Sequence, residues 1–242
     1  MYEPRFYRSW TKDTDLVSFN VLVKETDLLV MATRNLRRKA IKEVLKQRAS
    51  LEAYVERHPE FVAALSPVEV GGDSPQIVRT MARAAEIVGV GPMASVAGAI
   101  AEYVGRELLP FSREVIVENG GDIFIKTRRS RLVGIYAADS PFTGKMALEI
   151  QPEETPLGIC TSSGTVGHSL SFGRADACIA VSLSTTLADA SATAICNLVV
   201  TADDIGRGLE FAKGIEGLEG AVIVKNDRIG MWGKVKLVPI GG

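Results

Sequence analysis

Apolar and polar positions change rhythm several times along this chain, and each change predicts an element. Residues 5–10 and 16–24 are rich in aromatic and β-branched side chains and flank the polar stretch Thr11-Lys12-Asp13-Thr14-Asp15, which predicts a hairpin at the start of a sheet. Beyond it, Leu29, Leu36, Ile41, Val44 and Leu45 recur at near-helical spacing. A helix capped by Asp27 is therefore expected from Leu28 toward Arg48. Pro59 starts a short helical turn that Ser66-Pro67 breaks, and Ser74 as cap with Pro75 in the first helical position opens a helix to about Val88. After a break at 89–92, residues 93–109 carry Ala94, Ala97, Gly98, Ala101 and Gly105. That stripe of small residues suits close packing against a helix or close approach of a ligand to the backbone.

The second half is richer in strands. Residues 114–118, 123–127, 132–137 and 146–150 have strand character, followed by the apolar run 178–183 and a helix of small residues beginning near Thr186. Asp203-Asp204 opens a short helix to Lys213, and residues 220–225, 229–232 and 234–238 form a meander expected to return the C-terminus to the sheet. Neighbouring strands with clustered helices predict an α+β fold, with mixed or antiparallel sheets packed with helices in one compact unit over residues 1–242. Residues 1–90 are a candidate N-terminal subdomain within it.

Composition narrows the function classes. A chain of 242 residues buries a substantial core, and 28 basic against 29 acidic side chains create no global field for a polyanion, so no nucleic-acid partner is expected. No apolar run approaches the roughly 20 residues of a membrane helix, and the first residues lack the apolar stretch of a signal peptide. The expectation is a cytoplasmic protein with no membrane partner. The Arg37-Arg38-Lys39 run is diluted by Glu43 and Glu52 and reads as a solvated helix face. Cys160, Cys178 and Cys196 are odd in number and widely spaced, which fits buried thiols better than disulfides or a zinc site.

Candidate chemistry concentrates in residues 157–197, where a loop rich in glycine and hydroxyls precedes an apolar strand and the small-residue helix. Thr161, Ser162, Ser163, Thr165 and Ser169 supply neutral donors and acceptors, and glycines let a ligand approach the backbone. Of the two histidines, His58 sits in a connector before Pro59, so His168 is the candidate for proton transfer, with structural hydrogen bonding as the competing role. Asn119-Gly120-Gly121-Asp122 lies between two predicted strands and reads equally as a tight turn or as a ligand-contacting edge. Asp189 and Thr193, four apart on a helix, share a face and suit a hard cation, whereas Asp189 alone also suits helix capping. Phosphate-loop, paired-cysteine zinc, two-histidine metal and Gly-x-Ser-x-Gly motifs are absent.

Three segments taken in order, Val117-Glu118-Asn119-Gly120-Gly121-Asp122-Ile123, Thr161-Ser162-Ser163-Gly164 followed by His168, and Leu187-Ala188-Asp189-Ala190-Ser191-Ala192-Thr193-Ala194, resemble the ApbE-like family. Its best-known members are FAD- and magnesium-dependent FMN transferases that attach FMN to a threonine of a target flavoprotein. The resemblance implies an ApbE-like fold with FAD or a related flavin nucleotide bound by Asn119, Gly120, Gly121, Asp122, Thr161, Ser162, Ser163 and Gly164. It further implies Mg2+ at Asp189 and Thr193, His168 as proton acceptor, and an acceptor flavoprotein or metabolic partner protein. The family's His-x-x-Asp-Pro-x-Thr-Gly segment appears here as His168-Ser-Leu-Ser-Phe-Gly173, and its lysine before the helix glycine is Ala97. The chain is most similar to the short family branch. That leaves FMN transfer or FAD pyrophosphate cleavage beside two alternatives: a non-catalytic flavin or nucleotide carrier, and an accessory protein in anaerobic sulfur or amino-acid (homocysteine) metabolism.

Overall fold

Why the apolar rhythm misleads near residue 28 becomes plain from the layering of the fold. The computed structural model describes residues 15–164 and 172–240. The expected strand at 5–10, most of the turn after it, and His168 lie outside the described residues. Strands β1 (Val17–Val23) and β2 (Thr26–Ala32) pair antiparallel around a turn at Lys24-Glu25, where Lys24 takes φ +51°. Residues 28–32 are thus a strand rather than the start of a helix, and Asp27 pairs with Leu22 in the ladder instead of capping. Helix α1 (Arg37–Arg57) begins nine residues later than expected. Leu28 and Val30 pack into the core on the helical side and Met31 into the core on the other side, so this strand is apolar on both faces. A two-sided strand loses the alternation that marks a half-exposed one, and its apolar run fits helical spacing by accident.

Helices α2 (Glu60–Ala63), α3 (Gln76–Val88) and α4 (Val96–Leu108) follow, then strands β3 (Val115–Asn119), β4 (Asp122–Lys126), β5 (Arg131–Gly134), β6 (Met146–Ile150), β7 (Leu157–Ser162) and β8 (Ala177–Ser182). The chain continues through α5 (Thr185–Asn197), α6 (Ile205–Lys213), β9 (Leu218–Lys225), β10 (Arg228–Gly233) and β11 (Leu237–Pro239). Ser74 makes no side-chain cap on α3. Pro75 is itself extended at ψ 145°, so the helix starts one residue after it.

Among the described residues, eight strands form one antiparallel sheet in the order β1-β2-β3-β4-β7-β8-β9-β10, and β11-β6-β5 form a second. The last strand therefore does not return to the main sheet: Leu237, Val238 and Pro239 pair with Leu148, Ala147 and Met146 of β6. The strand expected at 132–137 likewise belongs to the small sheet as β5. Side chains alternate across the large sheet: Val115 and Val117 join the helical core with Met81, Ala101 and Val104, while Ile116 joins Ile135, Leu148 and Ile150 beneath the small sheet. The result is three layers, helices over a large sheet over a small one, an α+β architecture as expected. No single helix among the described residues is long and apolar enough to cross a membrane.

Small residues set the spacing of the helical layer. A Cβ on Gly98 of α4 would lie 2.6 Å from the Asp189 Cβ, one on Gly105 would lie 2.1 Å from the Phe124 ring, and one on Gly158 would lie 2.3 Å from the Thr185 Cα. The stripe on α4 and the glycine of β7 thus bring α4 and β7 into direct backbone contact with α5, at distances that any side chain would prevent.

Candidate functional site

The Asn119-Gly120-Gly121-Asp122 tetrapeptide closes the β3–β4 hairpin, with Asn119 and Asp122 as the last pair and both glycines at positive φ, +69° and +103°. This is the two-residue hairpin geometry that glycine adopts without strain. The turn is also tied to distant elements. Asn119 Nδ2 donates to the Ala97 carbonyl at 3.0 Å, the Gly121 amide donates to Glu118 Oε1 at 2.9 Å, and Asp122 Oδ1 accepts from the Thr161 amide of β7 at 3.3 Å. The Gly121 amide is therefore engaged within the turn, whereas Gly120 is exposed at its tip.

Asp189 reaches the same place from α5. Its carboxylate accepts from the Gly98 amide at 2.8 Å and from the Ala97 amide, both in the first turn of α4. In exchange, Glu102 of α4 accepts from the Thr186 amide at 3.0 Å, the Thr186 hydroxyl at 3.0 Å and the Ser184 hydroxyl at 3.1 Å, at the start of α5. Each helix thus caps the other. First-turn amides lack intrahelical acceptors and carry partial positive charge, so a carboxylate from a neighbouring helix satisfies both needs. Asp189 does cap, but it caps α4, while its own helix is capped by Ser184 and Glu102.

Cys160 of β7 is fully buried close to both aspartates, its thiol within hydrogen-bond reach of the Thr185 carbonyl at 3.3 Å and of Asp122. Burial pushes the Asp189 carboxyl up to about 7, against the opposing pull of the Gly98 and Ala97 amides. Burial also raises Asp122 well above the carboxylate range, and the charge of Asp189 raises it further. The Cys160 thiol is raised by burial and then by the two aspartates, so it is a poor nucleophile and a hydrogen-bond donor. No lysine, arginine or histidine among the described residues pairs with either aspartate.

The other predicted residues that the structure describes lie on β7, just after it, and on α5. Thr161 is half-buried and lies 3.9 Å from the position a Gly121 Cβ would take, so the glycine turn borders β7. Ser162 is buried, and its hydroxyl has no partner; the Thr185 and Ser191 hydroxyls of α5 are similarly buried and unpaired. Ser163 is half-buried and bonded to the Ala175 carbonyl at 3.4 Å, and Gly164 is exposed, with its amide on the same carbonyl at 2.9 Å. Thr193 is buried one turn after Asp189 on α5. Among the described residues no group of three or more His, Cys, Asp or Glu side chains is arranged to hold a metal ion.

Sequence reading missed Glu102, Cys160 as a member of the cluster, and the Ala97 and Gly98 amides. Glu102 left one trace: a carboxylate four residues after Gly98, amid Ala99, Ile100 and Ala101, on a helix otherwise built to be buried. No periodicity reveals that its partners lie 82 to 84 residues away.

Comparison with known proteins covers the same span. The profile of the family described as AbpE bacteria matches residues 8–225. A UPF0280 protein of Methanocaldococcus jannaschii is 42% identical over 221 residues, spanning 89% of this chain and 90% of its own, and one of Methanopyrus kandleri is 43% identical over 236 residues, spanning 94% and 95%. Among solved structures, the flavin transferase ApbE from Vibrio cholerae superposes with a TM-score of 0.59 at 11% identity over 90% of this chain and 96% of its own. The apo flavinyl transferase ApbE of Pseudomonas stutzeri gives 0.57 at 14% identity over 90% and 94%. At such identities the likeness is one of fold, and it agrees with the three-layer architecture described above. By its profile and by these relatives, the chain belongs to the ApbE-like family, within the UPF0280 group.

Proposed function

We propose that this chain binds a flavin nucleotide together with Mg2+ at the Asp122–Asp189 cluster and acts there on the FAD pyrophosphate, by FMN transfer or by hydrolysis. The observation that carries this reading is the buried, adjacent carboxylate pair with no protein cation beside it. Two such groups are stable only if they share protons or if a cation enters, and the surrounding donors, two carboxylates with the hydroxyls of Thr193 and neighbouring residues, are the hard oxygens that Mg2+ prefers. Fewer than three acidic ligands is no obstacle, because Mg2+ commonly takes one or two protein carboxylates and completes its shell with phosphates and water. Asp189 and Thr193 are its proposed protein ligands. When bound, the ion supplies charge neutralisation at the pyrophosphate.

The chain's own residues supply the rest. Gly120 leaves the turn's tip bare for close approach of a phosphate, and Asp122 orients the turn against Thr161. The Ser162, Thr185 and Ser191 hydroxyls are buried without hydrogen-bond partners, and Thr161, whose amide donates to Asp122, borders the glycine turn. His168 is proposed as the proton acceptor for an incoming hydroxyl or water, the acceptor being a threonine of a partner flavoprotein in the transfer reaction. The names of the fold neighbours, flavin transferases, agree with this reading. A carrier that binds flavin without turnover is the second reading, favoured by the lack of any described lysine, arginine or histidine at the pair. Purified protein incubated with FAD and Mg2+ should release AMP by chromatography. Flavin binding without AMP supports the carrier, and no flavin binding by fluorescence titration overturns both.

A further inference from the structure

At the other end of the β3–β4 hairpin, about 14 Å along the strands from the glycine turn, the charge pattern inverts. Arg113, Lys126, Thr127, Arg128, Pro152 and Glu153 line an open groove of about 460 Å3. Beneath it the charges are matched. Glu114 accepts from the Thr127 hydroxyl at 2.8 Å, the Arg128 amide at 3.1 Å and Arg131 at 3.0 Å, while Arg131 also grips both oxygens of Asp15. All three donors converge on Glu114 Oε2, and neither Arg113 nor the Arg128 guanidinium is among them. The guanidinium groups of Arg113 and Arg128 have no hydrogen-bond or ion-pair partner among the described residues, and the Lys126 ammonium is fixed by a single carbonyl, that of Thr155, at 2.6 Å. Glu153 on the rim forms no ion pair with them. The positive field continues beyond the groove: Arg34 donates to the Phe111 carbonyl, Lys39 sits 3.6 Å above the Phe111 ring, and Arg37 and Arg38 are exposed in the first turn of α1, where cations oppose the helix dipole.

We propose that this groove is an anion site for a multiply charged phosphate group, separate from the carboxylate site. A carboxylate satisfies one guanidinium, whereas a pyrophosphate presents several oxygens and two or more charges to a concavity holding three cations. Arginine forks match that geometry in pairs. Free pyrophosphate and the diphosphate of a nucleotide present the same chemistry to it.

Calorimetric titration of the full chain with sodium pyrophosphate, in low salt and without divalent metal, tests this. The parent and Asp189→Asn should bind equally well, with affinity falling steeply as salt rises. The double variant Arg113→Ala/Arg128→Ala should bind at least tenfold more weakly with an unchanged Tm, because both side chains are exposed and unbonded. Equal affinity for ADP would identify a nucleotide-borne diphosphate as the source, and binding of pyrophosphate alone would identify the free anion. Absence of binding by the parent at millimolar pyrophosphate, or equal binding by the double variant, would overturn the proposal. Tighter binding of a hexaglutamate peptide than of pyrophosphate would also overturn it, in favour of a protein docking surface.

Discussion

Two buried carboxylate clusters sit at opposite ends of one hairpin and behave in opposite ways. At the open end, Glu114 is held below the usual carboxylate range: burial works against ionisation, but the Arg128 amide, the Arg131 guanidinium and the Thr127 hydroxyl together outweigh it. At the turn end, Asp122 and Asp189 are driven upward by the same burial because nothing cationic answers it. Burial alone does not decide the state of a carboxylate; the partner does. The first cluster is complete within the chain and reads as structure. The second finds no answering cation among the described residues.

The largest effect should come from breaking the complete cluster. Arg131→Met removes the cation while leaving Glu114 in place, its side chain only 10% exposed, and should lower the unfolding free energy by about 3 kcal/mol in urea titration. An unchanged midpoint would mean that the network is not holding the ends of the sheets together. Glu102→Ala comes next. It strips the start of α5 of the acceptor for one amide and two hydroxyls, and should cost about 2 kcal/mol. Magnesium-dependent flavin binding should weaken as well, because Asp189 is carried on that helix.

Asp189→Asn sharpens the contrast by sign rather than size. In the metal-free parent the folded state holds a proton on Asp189 that the unfolded chain has already released, so stability should fall as pH rises from about 4 to about 7. Glu114 acts in reverse, contributing stability that is lost as pH drops through its lowered pKa. The Asn variant should therefore be more stable than the parent at pH 8 by several degrees in Tm, should lose most of the slope between pH 5 and 7, and should no longer bind FAD more tightly with Mg2+. A parent whose stability rises with pH across that window would contradict the unpaired aspartates. The smallest change in stability, about 1 kcal/mol, is expected for Gly121→Ala, which forces a side chain into φ +103°. Its test is flavin fluorescence titration, where an affinity equal to that of the parent would remove the turn from the proposed site.

Much of this was written in the order of residues. Local rules found the glycine turn, the small-residue helices, most strands and the identity of the acidic and hydroxyl residues, because turn conformation, helix spacing and close-packing stripes are encoded within a few positions of one another. They failed at residues 28–32, where a strand covered on both faces has no alternation to read, and at the C-terminus, where a meander that looks continuous crosses from the large sheet to the small one. Strand partner and sheet membership depend on which surfaces are left to cover after other elements have packed, and no local window contains that.

The site divides along the same line. Sequence alone determined that Asp122, Asp189, Thr161 and the glycines were present, in motifs whose spacing suggested oxygen ligands and bare backbone. Only the tertiary structure decided that Asp189 caps α4 while Glu102 caps α5, that the Cys160 thiol meets Asp122, and that Arg131 goes to Glu114 and Asp15 rather than to the two aspartates. The physical reason is that the ionisation and capacity of a carboxylate follow from what lies within a few ångströms, and here the Gly98 and Thr161 amides that Asp189 and Asp122 bind come from 91 and 39 positions away along the chain.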